Sequence, residues 1–259
     1  MRLATWNVNS ARTRVERITA FLERWDVDVL AMQETKCRVD QFPRKPFEDM
    51  GYHVEVNGAN QWNGVAIVSR MDSTLIGTSF PGQPPFGEPA ALEPRTIGVR
   101  CGGIAVWSLY IPNGRELGHP HFDYKLAYLD ALRTHVEDTL RKDPDSLGIY
   151  VGDFNIAWRD SDVWDMAAFE GATHVTADER ARLDALEAAG LKEVTRELVE
   201  GYTYWDYQRL RFPKNEGMRI DYAFATPALG AHVVAAHLDR EERKGKGASD
   251  HIPVIVDIA

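Results

Sequence analysis

The residues of this chain best suited to chemistry stand at the ends of apolar runs. Gly152-Asp153-Phe154-Asn155 closes the run Leu147–Val151. Asp153 and Asn155 are two apart, so in extended backbone a carboxylate and a carboxamide point to the same side. Asn7, Glu34, Tyr110 and Asn113 also follow apolar runs, Asp221 stands near the start of one, and Asp250-His251 immediately precedes another. Taken singly, each is an ordinary strand-end residue, because Asp and Asn often hydrogen-bond their own backbone in turns. Taken together they are mostly oxygen donors, with one His and no Cys. That donor set suits Mg²⁺ or Mn²⁺ rather than structural zinc. Carboxylates crowded into one place repel strongly unless a cation stands among them.

The elements that must position these groups are short buried strands. Arg2–Val8, Val27–Met32, Tyr52–Val56, Gly64–Ser69, Thr96–Arg100, Ile104–Ile111, Leu147–Val151, Tyr202–Tyr207, Arg219–Ala225 and Ile252–Ile258 all read as strands. Asn57-Gly58, Asn63-Gly64 and Gly102-Gly103 mark turns, and the Pro/Gly-rich stretch Phe80–Pro94 a long surface loop. Ser10 is a helix cap ahead of a face carrying Val15, Ile18, Leu22 and Trp25. Pro120 opens a long helix with the stripe Phe122, Leu126, Leu129, Leu132, Val136 and Leu140. Thr176-Ala177-Asp178-Glu179 is a capping box, and Gly190 stops the helix that it starts. Some strands would run toward a shared polar rim and others away from it, which calls for mixed rather than purely parallel sheets.

The chain has 259 residues, of which 44% are apolar, enough for a sizeable core and too many for disorder. With no linker, repeat or low-complexity stretch, residues 1–259 read as one domain. Cys37 and Cys101 are the only cysteines, so neither a disulfide framework nor a Cys-based zinc site is expected. With no signal peptide or membrane span visible, a cytoplasmic location is the expectation. A net charge of -9 argues against a non-specific nucleic-acid coat. It leaves room for a nucleic-acid enzyme with an acidic centre and a locally basic rim.

Several stretches resemble the exonuclease III type of AP endonucleases, within the endonuclease/exonuclease/phosphatase superfamily. They are Thr5–Ser10, Leu30–Lys36, Tyr110–Gly114, Gly152–Ala157, Asp162-Val163, Tyr202–Tyr207, Asn215–Asp221 and Ser249–Val254. They keep the family's order and span nearly the whole chain. The resemblance implies a four-layer α/β sandwich, with two mixed β-sheets face to face and helices outside. It also implies Mg²⁺-dependent cleavage of double-stranded DNA by a monomeric enzyme, at abasic sites and at blocked 3′ ends, with Mn²⁺ as a substitute.

The resemblance then assigns roles. Glu34 ligates the metal, with Asn7 and Asp250 beside it and Asp153, Asn155 and His251 completing the set. Asp153 orients or deprotonates the attacking water, and Asn155 holds a phosphate oxygen or Asp153 itself. His251, its ring fixed by Asp221, and Tyr110 contact the phosphate. Asn113 and Arg115 reach the DNA backbone. Tyr204, Trp205, Met218 and Ile220 match a pocket for a flipped abasic sugar, Met218 standing where many relatives carry Trp or Leu. Ordinary core packing is the alternative for the aromatics. Lys36, Arg38, Arg209, Arg211, Lys214 and the run Arg243-Lys244-Gly245-Lys246 are candidates for flanking phosphates. Competing readings are a phosphoesterase of the same superfamily on a phosphoinositide or sphingomyelin, and a non-catalytic DNA-binding protein.

Overall fold

The computed structural model describes residues 1–259. The strands are β1 (Arg2–Asn7), β2 (Val29–Gln33), β3 (His53–Asn57), β4 (Val65–Ser69), β5 (Ser73–Gly77), β6 (Thr96–Cys101), β7 (Ile104–Tyr110), β8 (Gly148–Asp153), β9 (Lys192–Glu193), β10 (Asp221–Ala225), β11 (Val233–Leu238) and β12 (Val254–Ile258). The helices are α1 (Ala11–Trp25), α2 (Arg44–Asp49), α3 (Pro120–Lys142), α4 (Ala177–Ala188), α5 (Arg211–Lys214) and α6 (Pro227–Gly230).

The central strands are apolar on both faces, so both faces of each sheet must be covered. On β2, Val29 and Ala31 face a core between two sheets, while Leu30 and Met32 face helices. On β8, Ile149 and Val151 join that same inner core and Tyr150 turns outward. α1 and α2 cover the first sheet through Ile18, Phe21, Leu22 and Phe47. α3 and α4 cover the second through Tyr128, Leu129, Leu132, Leu183 and Leu186. The result is a four-layer α/β sandwich.

The sheets run β11-β12-β1-β2-β4-β3 and β5-β6-β7-β8-β10-β9. β1 with β2 and β7 with β8 are parallel; the other pairs are antiparallel. Each parallel pair is joined through a long helix, α1 or α3, as a parallel crossover requires. The neighbourhoods β12-β1-β2-β4 and β6-β7-β8-β10 therefore share one arrangement, although the sequence shows no repeat.

Local signals behave as their chemistry demands. Ser10 Oγ accepts the Thr13 amide at 3.4 Å. Thr176 and Glu179 exchange both capping-box bonds, at 3.2 and 3.1 Å. Gly190, at φ 107, closes α4 in a conformation that disfavours other residues.

Several stretches differ from expectation. Tyr202–Tyr207 is not a strand. Tyr204 makes single bridges to Met218 and His251, and the Trp205 amide goes to the Asp250 carbonyl, so the segment ties loops together instead of extending a ladder. β5 and β11 were not anticipated. Both are edge strands with exposed residues and lack the apolar signature of central ones. No helix is long and apolar enough to cross a membrane.

Candidate active site

Period-two alternation carries polar side chains to one rim of the inter-sheet core. Along β1 the inward face reads Leu3, Thr5, Asn7; along β8 it reads Ile149, Val151, Asp153; along β10 it starts at Asp221 and continues to Ala223 and Ala225. Register does the rest. Tyr110 is level with Asp153 across the parallel pair, and Asp153 with Asp221 across the antiparallel one. Below the rim lies a polar layer that sequence reasoning missed. Gln33 Nε2 donates to Thr5 Oγ1 at 3.0 Å and to Ser108 Oγ at 2.9 Å. Gln33 directly precedes Glu34, so these bonds brace the end of β2.

Asn7 Nδ2 donates to Glu34 Oε1 at 2.8 Å and to Asp153 Oδ2 at 3.0 Å. Its oxygen accepts the Asn9 amide at 3.1 Å, which fixes the orientation of the carboxamide. Asn7, expected beside the metal, presents its NH₂ to two carboxylates and bridges them. Lys36 Nζ lies 2.7 Å from Glu34 Oε2 and donates to Asn9 Oδ1 at 2.7 Å. Asn9 Nδ2 in turn donates to Asp250 Oδ1 at 3.0 Å. Glu34, Asp153 and His251 bring their ligand atoms within 4.8 Å of one another. His251 Nδ1 sits 2.9 Å from Asp221 Oδ2, and its Nε2 3.6 Å from Asp153 Oδ2.

The cluster distorts its own titrations. Burial pushes the Asp153 carboxyl up, and Asp221 and Glu34 add to this, against the pull of His251. Burial alone would lower His251; Asp221 and Asp153 outweigh it and hold the imidazolium well above the ordinary range. Burial would raise Glu34, but Lys36 and Asn7 prevail and lower it. Burial and the nearby Glu34 push the Tyr110 phenol well up, so it stays a neutral donor.

A second group of residues flanks Asp153. The Asn155 amide donates to Asp153 Oδ1 at 2.9 Å, while its side chain donates to the Ile111 carbonyl at 3.0 Å and accepts from Asn113 at 3.3 Å. Asn155 thus touches Asp153 through its backbone and not through its carboxamide. His174 Nε2 lies 3.2 Å from both Asn155 Oδ1 and Asn113 Nδ2. Burial lowers the His174 imidazole to about 3. Glu34, Lys36, Asn9, Asn155 and His174 all have φ between 44 and 78, backbone strain gathered in one place. Sequence reasoning missed His174 because it stands in a loop, with no apolar run before it to mark a rim.

A cavity of about 380 Å³ opens over the cluster, with Tyr110, Asn113, Asp250, Tyr204, Met218 and Ile220 in its wall. Trp164 and Phe169 complete its apolar side and were not anticipated. Trp205 is absent from it. That side chain is 1% exposed, packs edge-on against Tyr202 and Phe212, and covers Gly217, so the expected pocket role gives way to core packing. A larger cavity of about 710 Å³ behind Trp205 holds none of the clustered groups. Arg115 is exposed beside His119 and does not reach the cavity wall. Arg243 is not the solvated loop cation expected: it is buried against Tyr207 and Phe212 and donates to the Trp205 carbonyl at 3.0 Å, which turns its guanidinium inward.

The donor set fits a hard divalent cation. Glu34, Asp153, Asp221 and Asp250 carry four negative charges against two positive ones on Lys36 and His251, an excess of two. Asp221 Oδ1 is also buried without a hydrogen-bond partner.

Comparison with known proteins accords with this geometry. Residues 4–251 match the endonuclease/exonuclease/phosphatase family. The chain is 25% identical over 269 residues to exodeoxyribonuclease III of Haemophilus influenzae, covering 98% of both. The structure of an AP endonuclease from Archaeoglobus fulgidus aligns with a TM-score of 0.90 at 30% identity, over 100% of this chain and 99% of that one. A 3′ phosphatase from Neisseria, bound to a product DNA hairpin, aligns with a TM-score of 0.92 at 32% identity and the same coverage. With its fold, its rim of carboxylates around one histidine and these likenesses in agreement, the chain belongs to the endonuclease/exonuclease/phosphatase family, as a hydrolytic nuclease of the exonuclease III type.

Proposed function

We propose that this protein is a single-domain, monomeric, Mg²⁺-dependent nuclease of double-stranded DNA. In this reading it hydrolyses phosphodiesters 5′ to abasic sites and removes nucleotides or blocking groups from 3′ ends. The observation that carries the proposal is the cluster of Glu34, Asp153 and His251 within 4.8 Å at the floor of a cavity with an apolar side. A scissile phosphate needs the polar floor, and a flipped abasic sugar needs the apolar wall.

Glu34 and Asp250, with Asp153 beside them, would hold Mg²⁺ or Mn²⁺. When bound, the ion supplies charge neutralisation at the phosphate and at the departing 3′ oxygen. The remaining work falls to the chain. Asp153, raised toward neutrality in pKa, takes the proton of the attacking water. The water oxygen bonds to phosphorus, the P–O3′ bond breaks, and the departing 3′ oxyanion takes a proton from solvent, leaving a 3′-hydroxyl and a 5′-phosphate. His251, held charged by Asp221, and the neutral Tyr110 phenol donate to non-bridging oxygens and favour the transition state. Asn113 extends the floor along the DNA backbone.

The test is product analysis on one duplex with an internal abasic site and a recessed 3′ end, assayed in Mg²⁺ and in Mn²⁺. An internal nick and end-shortening are scored separately, and both are expected. Binding without cleavage in either metal would overturn the reading. Hydrolysis of a soluble phosphoinositide headgroup but not of DNA would move the substrate elsewhere on the same scaffold.

A further inference from the structure

Behind Asn155, on the side away from the cavity, two charged residues are completely buried. Lys125 of α3 and Glu179 of α4 are each 0% exposed and pair with one another. Lys125 Nζ also donates to the Asn155 carbonyl at 2.7 Å and to the Asn113 carbonyl at 3.2 Å. Glu179 Oε1 accepts the His174 amide at 2.9 Å, and Oε2 accepts the Thr176 amide at 3.1 Å. All three ammonium protons and both carboxylate oxygens are therefore used.

Burying a lysine and a glutamate so completely is rare, and its desolvation cost is large. Stability alone is a poor reason to keep such a pair, since an apolar pair of similar volume often does as well. What the pair touches is more informative. Its partners are the backbones of Asn113, Asn155 and His174, which also contact one another through their side chains. Asn155 and His174 sit at φ 53 and 78, a region that costs energy for non-glycine residues and persists only where surroundings enforce it. Asn155 is gripped at both ends: its amide bonds to Asp153 and its carbonyl to Lys125.

We infer that the Lys125–Glu179 pair positions the Asn113–Asn155–His174 face of the site, and through the Asn155 amide aims Asp153. Lys125 and Glu179 are positioning residues, outside the cavity and away from the reacting atoms. The inference rests on the proposed hydrolytic role of Asp153. A misplacement of about 1 Å is enough to lower a rate on the order of a hundredfold, so loosening this support has a kinetic signature.

The test compares Lys125→Met, Glu179→Gln and the double variant in the full-length protein. Each single change leaves one buried charge without its partner and is expected to lower stability. The double variant carries no buried charge, but its single carboxamide oxygen serves only one of the His174 and Thr176 amides, so its denaturation midpoint is expected to rise above both single variants without reaching wild type. Its kcat is nevertheless expected to stay at least about tenfold down, with KM changed less than about threefold. Recovery of kcat together with stability would overturn the inference. A second readout needs no activity: amide hydrogen exchange at Asn155 and His174 in the double variant, expected at least about tenfold faster than its change in global stability accounts for. Unchanged protection there would overturn the inference even if the wild-type protein cut no DNA, whereas inactivity of the wild type alone would count only against the proposed function.

Discussion

Asp153 and Asp221 lie directly opposite one another across β8 and β10, and His251 spans the two through its two ring nitrogens. Two buried carboxylates in register would repel, and the imidazolium between them relieves this. The arrangement makes Asp221 the keeper of the His251 charge and leaves Asp153 at the cavity floor.

The pH dependence follows from this triad. The His251 pKa is raised, so the charged form is present at lower pH and is lost as pH rises through that value. Activity that needs the imidazolium should therefore fall on the alkaline side. Asp221→Asn removes the charge that does most to raise it, and the alkaline limb of kcat/KM should move down by about one pH unit or more. A limb that stays in place would detach Asp221 from this role.

Asp153→Asn keeps the shape of the site and removes the proton acceptor. A loss of at least about two orders of magnitude in kcat is expected, the usual scale of a general base. Near-normal cleavage of an abasic duplex by this variant would take Asp153 out of the mechanism.

Glu34 should reveal itself through the metal. Its carboxylate is kept ionised by Lys36 and Asn7. Glu34→Ala should raise the Mg²⁺ concentration for half-maximal rate by about tenfold or more, the effect being greatest at low Mg²⁺. A titration curve that superimposes on wild type would exclude direct ligation.

Trp205 and Met218 separate packing from recognition. Trp205→Ala empties a site buried to 1% and should cost about 3 to 5 kcal/mol of stability, while the ratio of abasic incision to 3′-end cleavage stays constant. Met218 lines the cavity, so Met218→Ala should change that ratio with a smaller effect on the urea midpoint. If Trp205→Ala altered the ratio in soluble, folded protein, its side chain would have to reach the substrate.

The rim residues were legible because strand-end position and residue chemistry coincide: Asp153, Asp221 and His251 each adjoin an apolar run that had to be buried. The sheets they end were legible for the same reason. What escaped is what neither periodicity nor propensity encodes. Tyr202–Tyr207 carries a strand-like aromatic pattern, yet its backbone bonds go to loops on either side. Trp205 and Tyr204 are adjacent and equally aromatic; only their opposite directions decide that one packs and the other lines the cavity. Arg243 reads as a solvated loop cation, but Tyr207 and Phe212 enclose it. Lys125 and Glu179 belong to helices far apart in sequence and meet only through the packing of α3 on α4, and His174 joins them from the loop just before α4.

Acid sensitivity should trace in part to His174. Burial lowers its imidazole to about 3, and that of His121 to about 4. The unfolded chain, with histidines near 6.5, binds more protons in the window between these values. Stability is then full above about pH 6.5 and is lost as pH falls, by on the order of 1 to 2 kcal/mol per group near pH 5. Asn is the conservative replacement, because it tolerates the φ of 78 and still offers an amide to Asn155. Urea midpoints of His174→Asn should therefore fall less steeply than wild type between pH 7 and pH 5. Parallel curves would mean that the imidazole takes up its proton in the folded state, through an opening of the Asn113–His174 contact that leaves the rest of the fold intact.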